Sequence, residues 1–438
     1  MKFIELILLL VFYNVIAAVN LSHFSVGVNI AAIAALSLAY VVILFRREKT
    51  PVKNFRLNLL KGGTRLLWLS GAAIILEIVF LAAYAHISGG IKLSLILNAL
   101  FALTFDFVTF LIGFIKTAVG SKQVKPLSYI TLLIFWWCPV VNLVLINKFY
   151  KTARRELVFE LDREETESAR SEGEICRTRY PIVMVHGIFF RDWQLMNYWG
   201  RIPAALIRNG AVIFYGGQQS ALSIPESAAE LKEKILGILA ETGAEKVNII
   251  AHSKGGLVSR YAISALGLDK YVATLTTVNT PHGGCDMVDH LLAMLPDKFV
   301  HWVEKKYNSV FHKLGDKAPD FLAGINDLRP ASIAALEAEM TDSPEVSYRS
   351  FMSIMKNASS AGFPLNLGYR IIKKLNGEND GLVWEKSAEH GSFRMIRPVG
   401  KRGISHGDMI DLFRENIDGF DVREFYIGLA ADLKKQGY

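Results

Sequence analysis

Between Val247 and Val258 the chain reads Val247-Asn248-Ile249-Ile250-Ala251-His252-Ser253-Lys254-Gly255-Gly256-Leu257-Val258. An apolar run meets a serine with a small residue two places to each side, and a helical pattern follows at once. Few folds accept this order. The run suits a buried strand, and the serine falls on the tight turn before a helix. Such a turn projects the hydroxyl out of a sheet, with the positive end of the helix behind it. Ala251 and Gly255 are small enough for strand and helix to approach closely. The plainer alternative is a serine in an ordinary β-α turn, but a strand before and a helix after argue against it.

The same order recurs around this passage. From Tyr180 onward strand-like and helix-like segments alternate, which predicts an α/β fold with a mostly parallel sheet and helices on both faces. Pro181–Val185 reads as a strand ending at His186-Gly187, and Ala211–Tyr215 as another. Ser223 and Glu226 form a capping-box pattern. Ala229, Leu231, Ile235, Ile238 and Leu239 then fill one face of the helix that follows.

An activated serine needs a base, an acid and donors for a developing oxyanion. The donors expected are the backbone N–H of Lys254, next after the serine, and that of Ile188, with His186 and Gly187 as the supporting loop. Acid and base should follow the serine in the order carboxylate, histidine. Asp380, on the turn Asn379-Asp380-Gly381-Leu382-Val383, is the candidate acid. His406, in Ile404-Ser405-His406-Gly407-Asp408, is the candidate base. His390 competes for that role, but a strand expected at Phe393–Pro398 fits between the acid turn and His406.

The N-terminal third is of another kind. Five apolar stretches, Phe3–Val19, Val28–Phe45, Leu66–Ile87, Leu93–Ile115 and Leu127–Ile146, are each long enough to cross a bilayer. The first also has the small residues of a signal peptide near its end. Residues 1–170 hold 18 Lys+Arg against 10 Asp+Glu, while residues 171–438 hold 31 of each. The excess lies in short loops, at Arg46, Arg47, Lys49, Lys53, Arg56, Lys61 and Arg65 and at Lys116, Lys122 and Lys125. The loops Asn20–Gly27 and Ser88–Gly90 have no Lys or Arg. That pattern orients membrane helices and excludes a nucleic-acid partner. With five spans the C-terminal domain falls on the extracytoplasmic side. Lys148, Lys151, Arg154 and Arg155 after the fifth span favour the other side, and Pro139 could turn that span back. Glu77 and Asp106 lie inside spans, where a carboxylate invites an ion-path reading. Pairing within the bundle is the plainer one.

The expected organisation is a transmembrane region of about five helices over 1–148, a charged linker over 149–178, and a catalytic domain over 179–438. Cys138, Cys176 and Cys285 show no metal-ligand spacing, and at most the last two could pair.

Together, Ala251-His252-Ser253-Lys254-Gly255-Gly256, Val185-His186-Gly187, Thr280-Pro281-His282-Gly283-Gly284 and Asn379-Asp380-Gly381-Leu382-Val383 resemble the bacterial triacylglycerol lipases across about residues 180–415. The resemblance implies an α/β-hydrolase fold, nucleophile Ser253, acid Asp380, base His406 and oxyanion donors at Ile188 and Lys254. It also implies a helical cap or lid over about 285–370, which could open toward a bilayer. Many members hold calcium with two aspartates. Asp408 stands where one is expected, but no Asp lies between Phe351 and Asn379 to be the other, so neither metal nor other cofactor is expected. The cysteine that often follows the acid turn is absent.

The function expected is that of a membrane-anchored ester hydrolase acting on lipid or acyl esters, with no obligate protein partner. An acyltransferase or thioesterase would use the same three residues. A transport or sensing protein with a non-catalytic hydrolase-like module is the alternative from another class.

Overall fold

The computed structural model describes residues 2–438 except 23, 51–53, 88–89, 171–172, 189–196, 220, 314–315, 317–318 and 398. Lys53, most of the loop Ser88–Gly90 and Pro398 therefore lie outside the described residues. The chain divides into two compact units, Met1–Ala169 and Arg170–Tyr438.

The first unit is all helical. Helices Val26–Phe45, Phe55–Ile87 and Leu93–Gly120 are long and apolar enough to cross a membrane, and the pair Lys2–Tyr13 and Val15–Leu21, bent by 63° at Asn14, adds a fourth if counted as one span. The expected fifth span is not one helix. Its stretch is divided between Pro126–Ile134 and Pro139–Arg170, with a turn at Phe135–Cys138. Pro139 explains the break, because it has no N–H and disfavours helical geometry at the residue before it.

Two helices pack where side chains are smallest. A Cβ built on Gly63 would lie 2.6 Å from the Thr117 amide nitrogen, and one on Gly120 2.8 Å from that of Leu60. Glu77 and Asp106 are hydrogen-bonded inside the bundle by neutral groups. Asn14 donates to Glu77 Oε2 at 2.7 Å, while Tyr13 and Ser70 donate to the two oxygens of Asp106 at 3.3 and 3.0 Å. The charged stretch after residue 148 is not a separate linker. It continues the helix Pro139–Arg170, and Phe149, Ala153 and Leu157, four residues apart, bury one face against Leu60, Leu67, Val124 and Leu132. The first unit accordingly runs on past residue 148, to Ala169.

The second unit holds six strands: β1 Ile182–Val185, β2 Ile213–Tyr215, β3 Val247–His252, β4 Val272–Val278, β5 Ser347–Ser353 and β6 Ser392–Ile396. All pairs are parallel and the order is β2-β1-β3-β4-β5-β6. This is an α/β-hydrolase sheet with helices on both faces. Val183, Val185, Ile249 and Ala251 face the helix Ile224–Thr242 through Ala228, Leu231, Ile235 and Ile238. Ile182, Met184 and Ile250 face the other way, onto Trp199, Ile202, Leu206, Tyr426 and Ile427. The two-residue alternation of a strand sorts these sets, and both faces are covered, so β3 and β4 are buried along their whole lengths.

The capping box at Ser223 and Glu226 starts the helix Ile224–Thr242, and Gly243 at φ 67° ends it. The stretch expected to be cap holds helices Asp286–Met294, Asp297–Lys313, Phe321–Asn326 and Pro330–Leu336, but it also contains β5. Ser347-Tyr348-Arg349-Ser350-Phe351-Met352-Ser353 is too polar to read as a buried strand. Its place between β4 and β6 completes the ladder.

Candidate active site

β1 has β2 on one side and β3 on the other, so the chain leaves these strands in opposite directions. A crevice opens at their C-terminal ends, where ligands bind in sheets of this type. His186-Gly187-Ile188 follows β1 and Ser253 follows β3, so both reach this crevice.

Ser253 sits at φ 56°, ψ −132°, between β3 and the helix Lys254–Ser264. A residue with a side chain adopts a positive φ only where its surroundings enforce it. Here they do. The Ser253 N–H donates to Val278 O at 3.0 Å, and its carbonyl accepts from Gly256 N and from Thr280 Oγ1 at 3.0 and 2.9 Å. The glycines behind it are needed for close approach. A Cβ on Gly255 would stand 2.5 Å from His186 O, and one on Gly256 2.3 Å from Thr280 Oγ1.

Asp380 and His406 are brought together. His406 Nδ1 and Asp380 Oδ2 lie 2.7 Å apart, and the His406 N–H donates to Asp380 O at 2.9 Å. The other carboxylate oxygen accepts from the Leu382 and Val383 amides, each at 2.8 Å, so the acid turn fixes the carboxylate on both sides. Asp380 is fully buried. His406 lies beside the serine turn, its ring 4.5 Å from that of His252, centroid to centroid. His390 is elsewhere. It stacks on His282 at 4.4 Å and approaches Asp342 at 3.2 Å.

His186 braces the loop after β1. Its ring nitrogens meet Gly187 O at 2.8 Å and Gln218 O at 2.9 Å, while Gln218 Nε2 donates back to His186 O at 3.0 Å. Gly187 has no room for a side chain, since a Cβ there would be 2.8 Å from Ser253 Cβ. Ile188 is the last described residue of this loop, and it is buried.

The Lys254 side chain also turns inward. Its ammonium is buried and donates to Leu222 O. Burial lowers its pKa to about 8, while Asp327, Glu226 and Asp320 pull it upward. It is therefore mostly charged at neutral pH. It also lies against the helix Phe321–Asn326, for a Cβ on Gly324 would be 3.3 Å from Lys254 Nζ and 3.4 Å from Ile188 Cδ1. The helix Asp297–Lys313 buries Phe311 but leaves Phe299 46% and Trp302 56% exposed.

The calcium ligation of the resembled family does not fit these residues. Asp408 Oδ2 accepts from the Ser405 N–H and hydroxyl at 2.8 and 2.7 Å, and Oδ1 from Arg402 at 3.1 Å. Among the described residues no group of three or more His, Cys, Asp or Glu is arranged to hold a metal. Cys138, Cys176 and Cys285 are all free thiols.

Tyr198 and His252 carried no expected role. Tyr198 Oη lies 2.8 Å from His252 Nδ1, and His252 Nε2 lies 3.2 Å from His406 O. The signal for His252 was its place beside the serine. Tyr198 gave none, because only the fold brings it there.

Residues 181–350 match the family described as "Putative serine esterase (DUF676)". The triacylglycerol lipase of Vibrio cholerae serotype O1 is 36% identical over 129 residues, which cover 29% of this chain and 41% of that protein. The chain thus spans about two fifths of that relative's length. The triacylglycerol lipase of Pseudomonas fragi is 27% identical over 292 residues, 59% of this chain and 98% of that one. Among solved structures, the lipase of Staphylococcus hyicus matches with a TM-score of 0.46 at 17% identity, over 59% of this chain and 97% of that one.

Proposed function

We propose that this chain, whose second unit is of the serine esterase and triacylglycerol lipase family, is a membrane-anchored hydrolase that cleaves carboxylic esters of lipids through an acyl-serine intermediate. The observation that carries the reading is the buried Asp380–His406 pair at 2.7 Å, held beside a serine at positive φ. His406 takes the Ser253 proton as the hydroxyl attacks the ester carbonyl, then gives it to the leaving alcohol. Asp380 fixes the Nδ1–H tautomer, leaving Nε2 free to act as base. The Lys254 and Ile188 amides receive the oxyanion, and the Lys254 ammonium adds positive potential.

The exposed pair Phe299 and Trp302, ring centroids 5.9 Å apart, supports a cap that meets apolar substrate. No metal is used. The expected result with a long-chain ester is free fatty acid as the main product, even with added glycerol or amine, at a rate unaltered by a chelator. Acyl transfer to the acceptor as the main product would replace hydrolysis by transferase activity.

An extracytoplasmic domain rests on a fifth span, and that stretch is two helices joined at Phe135–Cys138. Pro126–Ile134 and the start of the next helix then act as a re-entrant hairpin. The chain returns to the side of its basic loops, where Lys148, Lys151, Arg154 and Arg155 also belong. The second unit is then cytoplasmic. A fluorescent-protein fusion after Tyr438 is expected to fluoresce, and a periplasmic phosphatase fusion to be inactive. The reverse pattern would restore the fifth span.

A further inference from the structure

We propose that Tyr198 and His252 form a positioning pair that holds the main chain of His406 and so keeps its imidazole aligned between Asp380 and Ser253. The inference rests on the reading of Ser253, Asp380 and His406 as the reacting set. A carbonyl oxygen only accepts, so the 3.2 Å contact with His406 O puts the His252 proton on Nε2. A neutral ring then has only a lone pair at Nδ1, and the Tyr198 hydroxyl donates into it at 2.8 Å. Burial, with the nearby His406 ring, pushes the His252 imidazole well below the usual histidine range, in keeping with this neutral form.

The His406 peptide is thereby held on both sides, its N–H by Asp380 O and its C=O by His252. Because His252 immediately precedes Ser253, one residue ties the base to the nucleophile. Tyr198 is itself anchored. Trp199 beside it is buried with its ring edge-on to Tyr426, and Arg201 grips Asp411, five residues after His406, with two guanidinium bonds of 2.7 and 2.8 Å. The segment 198–201 therefore holds the His406 loop at two points.

The test uses full-length enzyme in detergent with a soluble ester, and thermal midpoints to verify folding. His252→Leu removes both bonds and is expected to lower kcat about 100-fold with KM unchanged, as misplacement of a reacting group does. His252→Gln keeps an N–H near the Nε2 position and is expected to retain most of the activity. Tyr198→Phe is expected to lower kcat in the wild type but not in His252→Gln, where the tautomer it sets is gone. Wild-type kcat in His252→Leu, equal losses in Leu and Gln, or a Tyr198→Phe effect that is the same in both backgrounds would each overturn the pairing. If His252→Leu does not fold, the Tyr198→Phe comparison decides alone. A wild type that never reacts at Ser253 would instead overturn the catalytic reading beneath it.

Discussion

Replacing Ser253 with alanine is expected to reduce kcat by about four to six orders of magnitude, leaving the fold and substrate binding in place. The hydroxyl is the atom that would bond to the acyl carbon, and no other described side chain stands on this turn to replace it. The residual rate would come from the oxyanion donors and from binding. Backbone geometry adds a second expectation. Ser253 is held at φ 56°, where any side chain is strained. Ser253→Gly should be equally inactive yet more stable than Ser253→Ala by about 1 kcal/mol, read as a higher thermal midpoint. Equal stability of the two variants would mean that the turn imposes no strain. A kcat within tenfold of wild type in either would remove Ser253 from the chemistry.

Asp380→Asn is expected to lower kcat about 10,000-fold with little change in KM. The reason lies in the donors around the carboxylate. Oδ1 accepts two backbone N–H groups, from Leu382 and Val383, so an asparagine must keep its oxygen there. Its NH2 then faces His406 Nδ1 at the position where the carboxylate now accepts. The imidazole is forced into the tautomer with the proton on Nε2, and that tautomer cannot take a proton from serine. An asparagine variant that retained a tenth of the wild-type kcat would show that His406 does not depend on Asp380 for its tautomer.

Much of the catalytic half was legible because local chemistry and global fold agree there. The run Val247–His252 carries Val247, Ile249, Ile250 and Ala251 and is buried along its length, the serine turn demands small neighbours, and a Cβ added to Gly255 or Gly256 would come within 2.5 Å of His186 O or Thr280 Oγ1. The turn that carries Asp380 was legible from its residues, since Asn379-Asp380-Gly381 is turn chemistry. What stayed hidden depends on contacts distant in sequence. β5 is a polar segment made into a strand by its two neighbours, and Tyr198 reaches His252 only because the helix Ile202–Arg208 packs beside the C-terminal helix Val422–Lys435. In the membrane half, apolar length predicted helices but could not show where they bend. Asn14 stands at the 63° bend between the first two helices, and Pro139 opens a new helix after the turn at Phe135–Cys138.

An activated serine is tested most directly by labelling of the full-length protein in membranes with a fluorophosphonate probe. Wild type is expected to be labelled, Ser253→Ala not at all, and Asp380→Asn far more slowly than wild type. A folded wild type that resists the probe, or a Ser253→Ala variant labelled as fast as wild type, would mean that Ser253 is not an activated nucleophile.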